Sequence, residues 1–201
     1  MTTQTALEIE NLLPATFTAP GLSEAEFLEL CEKFPDAFLE YTADGTVIVL
    51  PPKDPDDAAR GAEVVMQLAI WANQRGGGKV TGPDAGFHFR DGSRRSPDAA
   101  WFDAARWREA QQRDRRRRFP VFAPEFVIEV RSPGDRLRPL QEKMEEYIAN
   151  GVQLGWLIDP KERTVTIYGS APPRVLQNPA TVSGEGPVEG FVLTLDRILN
   201  Q

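Results

Sequence analysis

With a single cysteine (Cys31) and a single histidine (His88) in 201 residues, the chain has no disulfide framework and no structural zinc site of Cys/His type. Cys–His nucleophilic catalysis is also excluded unless those two residues meet. No apolar run approaches the roughly 20 residues that span a bilayer. Met1 to Glu10, with two Glu and neither Lys nor Arg, lacks the charged and apolar regions of a signal peptide. Several chemical motifs are missing as well. Lys79 is followed by Val80 rather than Ser or Thr, so there is no P-loop. Gly184-Glu185-Gly186 lacks the third glycine of a dinucleotide fingerprint, and no Gly-x-Ser-x-Gly elbow occurs. His88 alone makes no two-histidine metal site. The expectation is a cytoplasmic protein without a membrane partner.

What is present fits one ordinary domain. Hydrophobic residues make up 41% and charged residues 26%, close to the globular average. The sequence predicts a loose leader over residues 1–20 and a single domain over 21–201. The net charge of −7 is unevenly spread: residues 1–85 carry −9, residues 86–118 carry +5 and residues 119–201 carry −3. The positive third contains Arg113, Arg115, Arg116, Arg117 and Arg118. This run is either a solvated loop or a phosphate-binding surface, because binding a polyanion needs a local basic patch rather than a basic protein.

Periodicity supplies the elements. Ser23 with Glu26 three residues on predicts a capped helix to about Lys33. Residues 37–41 and 46–50 read as a hairpin around Asp44-Gly45. Apolar residues spaced 3 and 4 apart predict a helix over 57–74, stopped by Gly76-Gly77-Gly78. Strands follow at 86–89, 97–102 and 125–131, the last apolar enough to be covered on both faces. A helix over 137–150 and strands at 154–158 and 165–168 complete the pattern. Strand, helix and strand from 125 to 158 read as a βαβ crossover in a mixed sheet.

Two carboxylates stand out against this background. Glu129 lies inside the most apolar strand, where an unpartnered charge would cost several kcal/mol, so a cation should face it. Alternation puts Val127, Glu129 and Arg131 on one face. Asp98 follows Pro97 at the start of another strand, a position expected to aim its carboxylate outward. Two acids at neighbouring strand ends form a hard oxygen site of the kind magnesium prefers. The plain alternative is an ion pair of Glu129 with Arg131 or Lys143.

Pro97-Asp98 followed by Glu129-Val130-Arg131 is similar to the Pro-Asp…(Asp/Glu)-x-Lys signature of restriction-endonuclease-like nucleases. The flanks are more specific: Gly86-Phe-His-Phe-Arg-Asp-Gly-Ser93, Arg95-Ser-Pro-Asp-Ala-Ala-Trp101, Pro124-Glu-Phe-Val-Ile-Glu-Val-Arg-Ser-Pro133, Lys143-Met-x-x-Tyr147 and Trp156-Leu-Ile-Asp-Pro160. Over residues 22 to 198 the chain resembles the Uma-two family of restriction-endonuclease-like proteins, within the PD-(D/E)xK nuclease superfamily. The resemblance implies an α/β fold, a mixed sheet flanked by helices with an N-terminal helix and hairpin. It implies an endonuclease hydrolysing phosphodiester bonds in DNA with Mg²⁺ or Mn²⁺, most simply as a twofold dimer. Asp98 and Glu129 would be metal ligands, with Glu63 accessory. Arg131 stands where the superfamily has lysine; since arginine keeps its proton, the implied roles are phosphate contact for Arg131 and water orientation for Lys143. The competing expectation is a binding or scaffold protein that keeps the fold without chemistry.

Overall fold

The computed structural model describes residues 15–18, 22–116 and 119–200. The chain begins with β1 (Ala15–Thr18), α1 (Glu24–Lys33) and a hairpin of β2 (Phe38–Tyr41) and β3 (Thr46–Leu50). Then come α2 (Pro55–Arg75), β4 (Gly78–Thr81), β5 (Phe87–His88), β6 (Arg94–Arg95), β7 (Ala99–Asp103) and α3 (Ala104–Arg113). The crossover consists of β8 (Phe126–Val130), α4 (Leu137–Ala149) and β9 (Leu154–Asp159). After it come β10 (Thr164–Tyr168), β11 (Arg174–Gln177), β12 (Thr181–Ser183), β13 (Val192–Thr194) and α5 (Asp196–Leu199).

The mixed α/β architecture is the expected one, with the strands divided among sheets. Six strands form a mixed sheet in the order β11-β10-β9-β8-β7-β4, in which β8 and β9 run parallel around α4. β8 is interior, and all five of its residues are buried. Five strands form an antiparallel sheet ordered β1-β3-β2-β6-β5, so the hairpin recruits β5 and β6 from the middle of the chain. Residues 15–18, assigned to the loose leader by sequence, pair with β3 instead. The rest of that leader lies outside the described residues.

Local chemistry explains the boundaries. The Ser23 and Glu26 capping box forms as the spacing predicts. Asp54 accepts hydrogen bonds from the Asp56 and Asp57 amides at 2.9 and 3.0 Å and caps α2, which has Pro55 in its first turn. The triple glycine ends α2 as expected, but its last member opens β4. Gly78 lies flat against the Trp101 indole, where a Cβ would collide with the ring, so a residue that reads as a stop is a packing requirement.

The alternation of β8 sends its residues to two different cores. Phe126, Ile128 and Val130 join Val64, Leu68 and Ala72 of α2, together with Trp156, Phe191 and Ile198. Val127 joins Met144 and Tyr147 of α4, with Ala100, Phe102 and Leu157. Glu129 shares the parity of Val127 and so faces α4. Among the described residues, no helix is long and apolar enough to cross a membrane.

Candidate active site

Asp98 and Glu129 sit side by side. β7 and β8 are antiparallel with Ala99 opposite Ile128, so one further step along the register puts Asp98 opposite Glu129, on the same face. Asp98 does not aim outward into solvent, because its carboxylate closes the end of the ladder. Its Oδ2 accepts a 2.8 Å hydrogen bond from the Val130 amide, and its Oδ1 accepts one from the Lys53 ammonium. Asp98 is 7% exposed and Glu129 4%.

The cation that Glu129 requires is Lys143. Its Nζ lies 2.8 Å from Glu129 Oε1 and 2.8 Å from Glu40 Oε1, and it donates to the Ser96 carbonyl at 3.4 Å. Tyr147, one turn further along α4, donates its hydroxyl to Glu129 Oε1 at 2.8 Å. The i,i+4 spacing of Lys143 and Tyr147 puts both on the strand-facing side of the helix. Glu40 also accepts from the Ser96 amide at 2.9 Å and from Arg95 at 3.3 Å. Arg95 in turn pairs with Glu146 at 2.5 Å. The buried charges are therefore partnered in a network drawn from β2, the β6–β7 segment, β8 and α4.

This network sets the protonation states. Burial raises Glu129 to about 7; Lys143 pulls it down, but neighbouring Asp98 and Glu40 push it up. Burial pushes Glu40 up too, yet Lys143 and Arg95 prevail and hold it below its ordinary value. Burial works against the charge on Lys143, while Glu129 and Glu40 together keep its pKa above that of a free lysine. Burial and the adjacent Glu129 carboxylate raise Tyr147 well above a free phenol. Lys143 is thus a fixed positive charge and Glu129 the group that titrates near neutrality.

The other candidate residues go elsewhere. Strand alternation would place Arg131 beside Glu129, but the strand ends at Val130, and the Arg131 guanidinium turns to Asp159 of β9 at 2.7 Å and to the Asp135 carbonyl at 3.1 Å. Glu63 is on α2, which packs on the opposite face of the sheet. Its Oε1 accepts from Gln67 at 2.9 Å, and its Oε2 lies 3.8 Å from Arg197 of α5. The structure does not bring Glu63 to the acidic pair, because the apolar stripe of α2 turns it toward α5. Arg113 is engaged by Asp114 and the Val121 carbonyl, Arg115 and Arg116 are exposed, and Arg117 and Arg118 lie outside the described residues.

Sequence reasoning missed Glu40, Lys53 and Arg95. Glu40 carries the same signal as Glu129, a carboxylate inside an apolar strand (Phe38-Leu39-Glu40-Tyr41), and the same burial argument would have found it. Lys53 follows Pro51-Pro52 in a connector with no periodicity to mark it.

Asp98, Glu129, Lys143 and Lys53 line a cleft of ≈ 930 Å³ between the first half of α2, the Pro51-Pro52 connector and the start of α4. Most of its wall is apolar, with Phe38, Leu50, Val65, Met66 and Leu140 among the lining residues.

Residues 24–196 match the model of the Uma2 family, described as "Putative restriction endonuclease". The chain belongs to the Uma2 family. Its fold is also that of a solved structure, a "putative nuclease belonging to DUF820" from Anabaena variabilis ATCC 29413. The two superimpose with a TM-score of 0.71 at 22% identity, covering 89% of this chain and 97% of that one. None of the curated proteins matches the chain.

Proposed function

We propose that this Uma2 protein is a metal-dependent endonuclease that hydrolyses phosphodiester bonds in DNA. The observation that carries the reading is the Asp98/Glu129 pair, two carboxylates on one sheet face opening into a cleft with a lysine only 12% exposed against one of them. Among the described residues no group of three or more His, Cys, Asp or Glu side chains forms a metal cage. A pair of carboxylates suits Mg²⁺ or Mn²⁺, since magnesium is typically held by one or two carboxylates and completes its shell with water and substrate phosphate. Asp98 and Glu129 would hold the ion, which when bound would draw charge from the phosphodiester and acidify a water.

The protein's own groups do the rest. The Val130 amide fixes the Asp98 carboxylate, and Tyr147 with Lys143 fixes Glu129. Lys143 keeps its proton, so its part is to stabilise negative charge developing beside Glu129 rather than to abstract a proton. Exposed Arg115 and Arg116, outside the cleft lining, are suited to phosphate contacts away from the reacting bond. A lone cysteine fits a reducing, cytoplasmic setting, and a twofold dimer would place two such clefts on the two strands of a duplex.

The test is a Mg²⁺ and Mn²⁺ titration of thermal stability with a DNA cleavage assay, on wild type, Asp98→Asn and Glu129→Gln. An ion that binds only the native state raises the melting temperature of wild type; Asp98→Asn loses the rise, and Glu129→Gln loses cleavage but still binds DNA. If wild type shows neither ion-dependent stabilisation nor cleavage, the fold serves as a binding module, and Arg115→Ala with Arg116→Ala should then remove its partner.

A further inference from the structure

The Lys53 ammonium bound to Asp98 Oδ1 has no role in the reading so far. It occupies Oδ1, one of the two oxygens an ion shared by Asp98 and Glu129 could use, while Oδ2 already accepts from the Val130 amide. Lys53 can leave: its side chain is 34% exposed against 10% for Asp98, and it stands on a connector between β3 and α2 rather than in a helix or strand.

The cleft also needs Lys53 once it has left. Lys53 and Lys143 are the two basic residues among those lining the cleft, whose acids include Asp54, Asp57, Asp98, Glu129 and Asp135. An ammonium has three donors, and Lys143 has three partners in Glu129, Glu40 and the Ser96 carbonyl. Arg131 is turned away to Asp159. The N-terminus of α2 offers little to an anion, because Asp54 already caps it. A phosphate entering this acidic cleft therefore meets one ammonium with donors to spare.

The geometry points to Lys53 as a two-position residue: a counter-cation of Asp98 until a divalent ion displaces it, and then the cleft's ligand for a non-bridging oxygen of the substrate phosphate. This inference rests on the nuclease reading above and adds a residue to it. It also makes a prediction with opposite signs, since the same side chain opposes the ion and favours the substrate.

The experiment compares wild type, Lys53→Met and Lys53→Arg by calorimetric titration of Mg²⁺ without DNA. Fluorescence anisotropy then follows a short labelled duplex in Ca²⁺, under conditions where the duplex is first checked to stay uncleaved. Losing a partly exposed ion pair of up to about 1 kcal/mol should tighten Mg²⁺ binding in Lys53→Met by up to about fivefold. Duplex binding by that variant should weaken severalfold. Lys53→Arg, which can grip a carboxylate with two donors, should weaken Mg²⁺ binding while retaining duplex binding, and it guards against a Met variant that folds poorly. Mg²⁺ binding in wild type with no gain in Lys53→Met overturns the counter-cation role and leaves the nuclease reading intact. Unchanged duplex binding in Lys53→Met overturns the phosphate role. If neither wild type nor Lys53→Met binds a divalent ion, both this inference and the nuclease reading fall.

Discussion

The two faces of β8 meet opposite solutions to burial. Toward α2, Phe126, Ile128 and Val130 pack into a continuous apolar core, where the Phe126 and Trp156 rings meet edge-on at 4.8 Å and Trp156 stacks on Phe191 at 5.6 Å. Toward α4, Val127 is apolar but Glu129 is not, and it is matched by Lys143, Tyr147 and, through Lys143, Glu40. The first face needs only shape and volume. The second needs cations delivered from other elements to within hydrogen-bond distance, since a buried charge without a partner costs several kcal/mol. The candidate site sits on the face that is harder to build, and the apolar core packs against the other side of the same strand.

The sharpest way to break this comparison is to damage each face in turn. Phe126→Ala empties space in the α2 core and should cost about 3–5 kcal/mol. Lys143→Met leaves Glu129 with no cation and Glu40 with Arg95 alone, and should cost up to a similar 3–5 kcal/mol at neutral pH. Denaturant titrations separate the two by pH. The cost of Lys143→Met should shrink below about pH 5, as protonation removes the stranded charges, whereas the Phe126→Ala cost should stay flat. If the Lys143→Met cost does not depend on pH, Lys143 is held by packing and the charge network is not what supports that face.

A smaller effect comes from Glu129 itself. Its native carboxyl keeps a proton up to about 7, while the unfolded one releases it near 4.5. Between those values the native state binds more protons, so stability falls as pH rises through the window, by about 3 kcal/mol in total. Glu40 acts in the other direction: lowered in the native state, it stabilises above its ordinary value and loses that contribution in acid. Glu129→Gln should therefore flatten the stability profile between pH 4.5 and 7 and match or exceed wild type above pH 7. An unchanged slope would mean that Glu129 is ionised throughout the window.

The legible and illegible parts of the molecule differ by range. The β8–α4–β9 crossover was readable because its signals are local: an apolar strand, a period of 3.6 and a glycine stop. Asp98, Glu129 and Lys143 were readable as charges in apolar or motif settings. The second sheet was not, because β2 meets β6 through a single pair, Tyr41 with Arg94, far apart in sequence. Glu40 is marked as locally as Glu129, by an apolar strand around it, and only its partners Arg95, Ser96 and Lys143, which come from distant segments, were out of reach. Arg131 goes to Asp159 of the neighbouring strand instead of Glu129, a partner that spacing along one strand does not reveal. Glu63 was misjudged because helical periodicity says which side of α2 is buried but not which face of the sheet it covers.

Glu63 gives the smallest and most discriminating test of the two-face picture. Its carboxylate accepts from Gln67, whose amide also donates to the Thr194 carbonyl at 3.1 Å and accepts from the Thr194 amide at 2.8 Å. Glu63 thus helps orient a clasp between α2 and β13, and its 3.8 Å approach to Arg197 is to a side chain that is 72% exposed. Neutralising one member of such a pair is worth at most about 0.5 kcal/mol. Glutamine keeps an oxygen that can accept from Gln67, so Glu63→Gln should shift the melting temperature by no more than a degree or two. It should leave the Mg²⁺ titration superimposable on wild type, whereas Asp98→Asn should abolish the response. A tenfold loss of Mg²⁺ affinity in Glu63→Gln would show that α2 turns its acid into the cleft when the ion binds, and that the two faces of the sheet share one site.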